Sequence, residues 1–484
     1  MSIFSDSLKK MLNNYSLDIR FWILFFFIIR LYGISFPPLE FEESWRQTTV
    51  CMVARNFLEI DANICYPRLD IAGEKSGITG MEFPILNYLI YLSSKIFGYA
   101  HWYGRLINLF ISSIGIWYFY KLIQKYFSLE IAKYASFILL CSIWFSYSRK
   151  IMPDTFSMSF IIVALYYGSN YFDRSTKSIN LILYMLLASI GILSKLPSAY
   201  LLSVLILFIL NDTYSFKSKF KFILSNVLLI LFPAFWYFYW VPHLVQTYSF
   251  WHFFMGNPIS TGFKEIVNEL NLSLNKFYFV SIKYVGFCFF IFGVINMIYY
   301  KNKLLISIFL ITFSSFSIII FKAGWTFAHH DHYIIPFTPI MALVSGYGIS
   351  LVSYKNSFII ILILISFEGI LNQKKDFKIY NHFRKLSNLE SDLDQFSNIN
   401  DRIMINSGLF PTPMYFAHRK GWVETNEKIL DKDYMRAAIG LGLKYVVILK
   451  RALGTEIKLD YPCVFNNDDY AIYKVSNPIS GKSN

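Results

Sequence analysis

The chain has 484 residues, of which 55% are hydrophobic and only 16% charged, and its mean hydropathy is +0.44. Soluble domains carry about 25% charged residues, so a string of water-soluble domains is excluded and the bilayer is the solvent this composition suits. The 19% aromatic content excludes a disordered or low-complexity chain. The net charge of +14 is unevenly spread: from Lys375 to the end there are 16 basic and 13 acidic residues, against 29 and 18 before it. The near-balanced tail lacks the clustered basic face that a nucleic-acid partner requires, which leaves phosphate or lipid headgroups as partners for the excess.

A membrane span needs about 20 mostly apolar residues. About eleven such runs follow one another, centred on Phe21 to Phe36, Trp102 to Ile123, Ile131 to Tyr147, Phe156 to Phe172, Ile179 to Leu193, Ala199 to Leu210, Phe222 to Val241, Tyr278 to Tyr300, Leu304 to Phe321, Tyr333 to Val352 and Phe358 to Leu371. Lys195-Leu196-Pro197 divides two short runs, as a turn or a kink. Cytoplasmic loops keep the excess of Lys and Arg. With the N-terminus inside, the inner set includes Lys9, Lys10, Lys121, Lys125, Lys217, Lys219, Lys221, Lys301 and Lys303, while the short outer loops hold only Arg149, Lys150, Lys195, Lys264, Lys276 and Lys322. An odd number of spans sends the C-terminal tail outside. The polar stretch Met1 to Arg20 has no cleavage pattern, so the first run is expected to stay as an anchor. The expectation is an all-α polytopic protein of a bacterial inner membrane, cytoplasmic at its N-terminus.

Two outer segments interrupt the spans. In the loop 37–101, apolar residues recur at helical spacing through Val50, Val53, Ala54, Phe57 and Leu58 and again through Leu86, Leu89, Ile90, Ile96 and Phe97. Two amphipathic helices on the membrane interface account for this. From residue 375 onward, strand-like runs at Arg402 to Asn406 and Tyr445 to Leu449 alternate with helical stretches such as Asp433 to Gly440. The division is therefore a membrane domain, 1–374, that includes the loop, and a small extracytoplasmic α/β domain, 375–484. Five cysteines form no metal-ligand spacing, and Cys51 and Cys65 would pair only if their segment faces an oxidising compartment.

Eight of the 18 acids before the tail lie in the first outer loop. The sharpest cluster is Glu42-Glu43-Ser44-Trp45-Arg46-Gln47. Adjacent carboxylates repel, which raises one pKa and suits a general base, although acids also favour the start of any helix. Asp154 follows Arg149-Lys150-Ile151-Met152-Pro153 at the start of another run, where a helix cap is the plainer reading. Arg30, Arg149, Lys150, Lys195, Lys322 and the cluster His329-His330-Asp331-His332 all fall at the outer boundary, against the inside preference for cations. Together they suit an anionic headgroup; for each alone a snorkelling anchor is the stronger reading. The histidines lack the i, i+4 spacing of a helical metal site, and His243 and His252 have no assigned role.

These pieces in order resemble the GT-C glycosyltransferases related to protein O-mannosyltransferases and to the bacterial transferases that decorate lipid A or core sugars. The resemblance rests on Pro38 to Gln47, Ala54-Arg55-Asn56-Phe57, Tyr66-Pro67-Arg68, Met81-Glu82-Phe83-Pro84, Gly104-Arg105-Leu106, Arg149 to Asp154, Lys195-Leu196-Pro197 and His332-Tyr333-Ile334-Ile335-Pro336. It implies an inverting transfer of a sugar from a polyprenyl-phosphate donor, on the outer face of the membrane, to a glycolipid, polysaccharide or protein hydroxyl. It further implies Glu43, Glu42 and Asp154 as catalytic residues, with Glu43 favoured as the base. Arg149, Lys195, Lys322, Arg46, His332 and Tyr333 would hold the donor phosphate, and Glu82, Arg68 and Arg105 other parts of the substrates. The family's Asp-Glu pair reads Glu-Glu here. No cofactor is required, with a divalent cation as an option, and no Gly-rich phosphate loop is present. The competing reading is a transporter or flippase of a lipid-linked sugar, but transporters place ionisable groups at mid-depth, and here the acids collect in the outer loops.

Overall fold

The computed structural model describes residues 18–40, 43–172, 178–252, 256–352 and 357–475. The chain divides into two compact units. One comprises residues up to Ile34 together with Arg105–Phe238 and Phe254–Lys374; the other comprises Ser35–Gly104, Tyr239–Phe253 and the segment from Lys375. The loop assigned on sequence to the membrane domain thus groups with the tail, not with the helices that flank it.

The first unit is helical. Its principal helices are α1 (Ile19–Arg30), α4 (Trp102–Tyr126), α5 (Leu129–Cys141), α6 (Pro153–Tyr171), α7 (Ser178–Ser194), α8 (Phe216–Phe235), α9 (Ile259–Asn268), α10 (Lys283–Tyr299), α11 (Lys303–Ala323), α12 (Thr338–Ser350) and α13 (Ser357–Asn372). Several begin at side-chain caps read directly from the sequence: Ser128 accepts from the Ile131 amide, Ser215 from Ser218 and Asn302 from Leu305. Helix lies on each of the eleven apolar runs. Among the described residues, however, only three helices are long and apolar enough to cross a membrane, Trp102–Tyr126, Phe216–Tyr248 and Lys303–Ala323. A fourth is gained if Leu270–Ser281 and Lys283–Tyr299, which meet at 97°, form one broken span. Some of the others fall short on length, as the 12-residue α1 does, whereas the 19-residue α6 is long enough but has Asp154 in its first turn and carries several serines.

The 97° break has a visible cause. Lys283 has φ +61°, which ends one helix, and the Glu368 carboxylate from α13 accepts hydrogen bonds from the amides of Tyr284 (3.1 Å) and Val285 (2.9 Å), satisfying the first free amides of the next. Close helix contacts use small residues, as is usual where lipid supplies no hydrophobic drive. A Cβ on Gly346 of α12 would lie 2.6 Å from the Ala135 amide of α5.

The second unit contains a five-stranded sheet of β1 (Arg402–Ile405), β2 (Gly421–Val423), β3 (Leu443–Leu449), β4 (Cys463–Asn466) and β5 (Tyr470–Lys474), in the order β2-β1-β3-β5-β4. β1 pairs in parallel with β2 and β3, and β5 runs antiparallel to β3 and β4. Met404, Val446, Ile448 and Ala471 from the sheet meet Met435 and Ile439 of the helix Lys432–Gly440 in one apolar core. The loop supplies two helices to this unit, α2 (Ser44–Glu59) and α3 (Ile85–Phe97). Helix α2 corrects the interfacial reading: Gln47 through Phe57 are buried without a break, so both its apolar and polar faces are covered. Helix α3 keeps one buried face, including Leu86 and Ile90, while Ile96 and Phe97 stand exposed. Backbone pairing ties the loop to the sheet edge, since the Gly73 amide donates to the Gly421 carbonyl (2.7 Å) and the Gly421 amide to that of Asp70 (2.9 Å). Cys51 and Cys65 are both free thiols.

Candidate active site

In the helical unit, the segment before α6 is shaped by a residue that the sequence reading passed over. Asn108, in the span α4, donates through Nδ2 to the carbonyls of Tyr147 (3.1 Å), Lys150 (2.8 Å) and Met152 (3.3 Å). Its Oδ1 accepts from Thr155 and Ser112, both at 3.0 Å. One buried amide thereby fixes the turn 147–152 and, with Pro153 at the first helical position, the start of α6. The signal was present: a buried amide in an apolar span is costly unless fully bonded.

Asp154 stands in the first turn of α6, where the helix dipole favours its charge. Its Oδ1 accepts a 2.5 Å hydrogen bond from Lys195 Nζ, while Oδ2 is buried and has no hydrogen-bond partner among the described residues. Lys195 sits at the break predicted for Lys-Leu-Pro, which is a turn into the 3-10 helix Leu196–Leu205. That turn is pinned by Ser198, whose hydroxyl donates to the Lys195 carbonyl (2.8 Å), and by Ser157 Oγ, which donates to the Gly191 carbonyl (2.7 Å). The Lys195 ammonium lies 5.7 Å from the centre of the Tyr333 ring, and that ring is 4.6 Å from the imidazole of His332. Four of the expected residues, Asp154, Lys195, His332 and Tyr333, thus form one partly desolvated cluster.

The other cations of this unit are held differently. Arg149 Nη2 donates to the Gly33 carbonyl (2.9 Å) and Arg105 Nη1 to that of Ile34 (3.1 Å), so both buried guanidiniums serve the carbonyls just past α1. Lys150 lies 4.2 Å over the Tyr147 ring. Arg30 donates to the Phe26 carbonyl (2.8 Å) and to Ser148 Oγ, with Nη2 buried and lacking a partner among the described residues. Lys322 is exposed in the last turn of α11, and its carbonyl accepts from Asn257. Within the histidine cluster, His330 and His332 stay together, with 5.6 Å between ring centroids, whereas His329 stacks on Trp325 with 4.0 Å between centroids and lies 3.7 Å from Glu269. Asp331 instead accepts from Lys276 (2.5 Å).

In the other unit, Glu42 lies outside the described residues. Glu43 is buried and occupies the N-cap of α2 with φ +67°. A left-handed backbone at a residue with a Cβ costs about 1–2 kcal/mol and clusters at functional positions. No side-chain capping bond is formed there, and Glu43 stands at a helix start, where the dipole favours an acid. Arg46 pairs with Glu82, two residues that the resemblance put in separate roles. Arg68 pairs with the half-exposed Asp61 at 3.3 Å. Arg55, which carried no assigned role, donates to Asp70 (3.1 Å) and to the Tyr415 carbonyl (3.1 Å), while Asn56 donates to Asp70 (2.9 Å). Burial, with the Arg46 guanidinium nearby, pushes His252 down to about 4, so this imidazole is neutral at pH 7. Burial also lowers His418, but hydrogen bonds to Glu390 (2.6 Å) and Glu59 (3.0 Å) outweigh it and raise the imidazole to about 9.

Residues 82–238 match the family described as dolichyl-phosphate-mannose-protein mannosyltransferase. No curated protein matches the chain significantly in sequence. Among solved structures, ArnT from Cupriavidus metallidurans bound to undecaprenyl phosphate is similar over 94% of this chain and 98% of its own, at 9% identity and a TM-score of 0.56. The apo form gives 12% identity, the same TM-score and 97% of its own chain. The apo oligosaccharyltransferase from Archaeoglobus fulgidus is similar over 89% of this chain and 70% of its own, at 12% identity and a TM-score of 0.54. AglB of the same organism, in complex with an inhibitory peptide and a dolichol-phosphate, has a TM-score of 0.51 at 12% identity, over 88% of this chain and 69% of its own. At such identities the likeness is one of fold. The chain has the fold seen in ArnT and in the archaeal oligosaccharyltransferase and, through residues 82–238, matches the dolichyl-phosphate-mannose-protein mannosyltransferase family.

Proposed function

We propose that this protein is an inverting membrane glycosyltransferase that moves a hexose or pentose from a polyprenyl-phosphate donor to an extracytoplasmic hydroxyl on a glycolipid, polysaccharide or protein. The observation that carries the reading is the Asp154–Lys195 pair: a buried carboxylate with one oxygen on an ammonium and the other without a hydrogen-bond partner among the described residues, beside Tyr333 and His332. A purely structural ion pair has every reason to fill its last acceptor, whereas a substrate site must keep one open. The matched fold, in proteins solved with undecaprenyl phosphate and with a dolichol-phosphate, supports a lipid-borne donor.

In this reading Glu43 takes the proton from the acceptor hydroxyl as its oxygen attacks the anomeric carbon, with Glu42 as the alternative base. The bond from that carbon to the phosphate oxygen breaks, and the electron pair leaves with the polyprenyl phosphate. Lys195, with Arg149, Lys322 and Arg46, offsets the charge gathering there, and His332 and Tyr333 flank it. Glu82, Arg68 and Arg105 act indirectly, through the ion pair and the carbonyls that they hold. A divalent cation would only supplement Lys195, and chelation with EDTA during turnover measures its share. The membrane topology that fits is about eleven spans in a bacterial inner membrane, with the N-terminus cytoplasmic and residues 375–484 extracytoplasmic.

The test uses the full chain in proteoliposomes with a synthetic polyprenyl-phosphate sugar. Glu43→Gln is expected to lower transfer by about 10²–10⁴-fold. Full transfer in Glu43→Gln, Glu42→Gln and Asp154→Asn would overturn the catalytic assignment. Flipping of the donor without any transfer would favour the transporter.

A further inference from the structure

Within the helical unit lies a cavity of about 480 Å³ that the proposed reaction does not use. It is enclosed by the last turns of α4, the second half of α6, the first turns of α11 and part of α12. Its fifth wall is the 3-10 helix Leu196–Leu205 and the α-helical turn that continues it to Leu210. A ten-residue 3-10 helix is unusually long. Because residues three apart eclipse in that geometry, Leu201 and Val204 stack in register and extend through Leu207, giving the cavity a smooth aliphatic wall. The volume falls within the range of about 300–1,000 Å³ typical of small-molecule sites.

The interior is apolar and the mouth is not. Its polar lining residues are Ser169, Asn211, Tyr214 and Lys303, of which Asn211 and Lys303 are exposed, and Lys125 Nζ donates to Asn170 Oδ1 (2.7 Å) and Ser169 Oγ (3.3 Å). Among the described residues, the helix ends nearby carry Lys217, Lys219, Lys221 and Lys301 in addition, against Asp18, Glu130 and Asp212. Asp212 is spent on Lys219 at 4.0 Å. An apolar chain with a negative head is the ligand that both halves recognise.

We infer that this cavity holds one acyl chain of an anionic membrane phospholipid, with its headgroup at Lys303 and Lys125. The alternative, the sugar carrier itself, is disfavoured by distance. Asp154 and Ser169 lie fifteen residues apart on α6, which is about 22 Å at 1.5 Å per residue. A carrier phosphate held at Lys195 cannot also occupy this rim.

The experiment is native mass spectrometry of the full chain in mild detergent, with phosphatidylglycerol, phosphatidylcholine of the same acyl chains, or undecaprenyl phosphate added singly. The wild type is expected to retain one phosphatidylglycerol, with about fivefold preference over phosphatidylcholine. Ser307→Trp, which fills the cavity, should abolish that retention. Lys303→Glu, at an exposed position that leaves the fold intact, should bring the two phospholipids to parity. Equal retention of both by the wild type overturns the inference, as does an unchanged preference in Lys303→Glu. Retention of undecaprenyl phosphate alone, lost in Ser307→Trp, reassigns the cavity to the carrier and equally overturns it.

Discussion

The Arg55–Asp70 set of the loop and the Asp154–Lys195 pair of the helical unit are two buried charge sets partnered to different extents. In the loop, Arg46 is matched by Glu82, and Arg55 and Asn56 together satisfy Asp70, although Arg419 in the tail keeps a buried Nε without a hydrogen-bond partner among the described residues. In the helical unit, Asp154 is answered on one oxygen only and Arg30 leaves a buried nitrogen unpaired among the described residues. Desolvating a charge is costly in both places. Where the cost is offset by a complete set of partners, the charges specify architecture. Where a lone pair or a proton is left over, the protein has kept capacity for something that is not its own chain.

The contrast breaks most visibly at Arg55. Arg55→Leu leaves Asp70 buried with one partner removed, and a loss of about 3–5 kcal/mol is expected in chemical denaturation followed through the sheet unit. Transfer per folded molecule should be unchanged; a large fall in turnover at unchanged stability would place Arg55 with the reacting groups and erase the distinction. Asp154→Asn tests the other side. It keeps the shape but removes the charge facing Lys195, and transfer should drop about 10²–10³-fold, with an accompanying rise in KM for the donor if the pair orients the phosphate.

A smaller effect is expected from pH. His418 is raised in the folded state to about 9 from an ordinary value of 6.5. The stability it contributes is therefore fully present below about pH 6.5 and is lost as pH climbs through 9. Thermal unfolding of the wild type should fall relative to His418→Gln across that window, and parallel curves would remove the Glu59–His418–Glu390 bridge from the account. The smallest change belongs to Arg68→Gln. Its partner Asp61 is largely exposed, so a stability loss of about 0–1 kcal/mol is expected. A marked fall in activity there would restore Arg68 as a substrate contact.

Much of the fold was legible because its signals are local. Apolar run length marked where helix would lie, Ser128, Ser215 and Asn302 announced helix starts, and the strand runs near 402 and 445 appeared within two residues of their places. The span count was less accessible, since α1 reaches only 12 residues and the run at 278–300 is broken by Lys283 and capped from Glu368, far away in sequence. The site was legible in part. Asp154, Lys195 and Tyr333 stood out as polar groups in costly surroundings, but their convergence did not. Asn108 gave only a faint signal, one amide in an apolar helix, and its meaning depends on three carbonyls some forty residues downstream.

The sequence by itself determined the solvent, the helical class, the presence of a small α/β module and the short list of charged residues from which a site could be drawn. Composition and periodicity are properties of neighbouring residues, and burial energies follow them directly. Only the tertiary structure decided which charges meet: that Arg46 pairs with Glu82, that Arg149 and Arg105 donate to carbonyls after α1, and that one oxygen of Asp154 lacks a hydrogen-bond partner among the described residues. Pairing depends on distances between segments far apart in the chain, and electrostatic energy changes over a few ångströms, a scale that residue order does not encode.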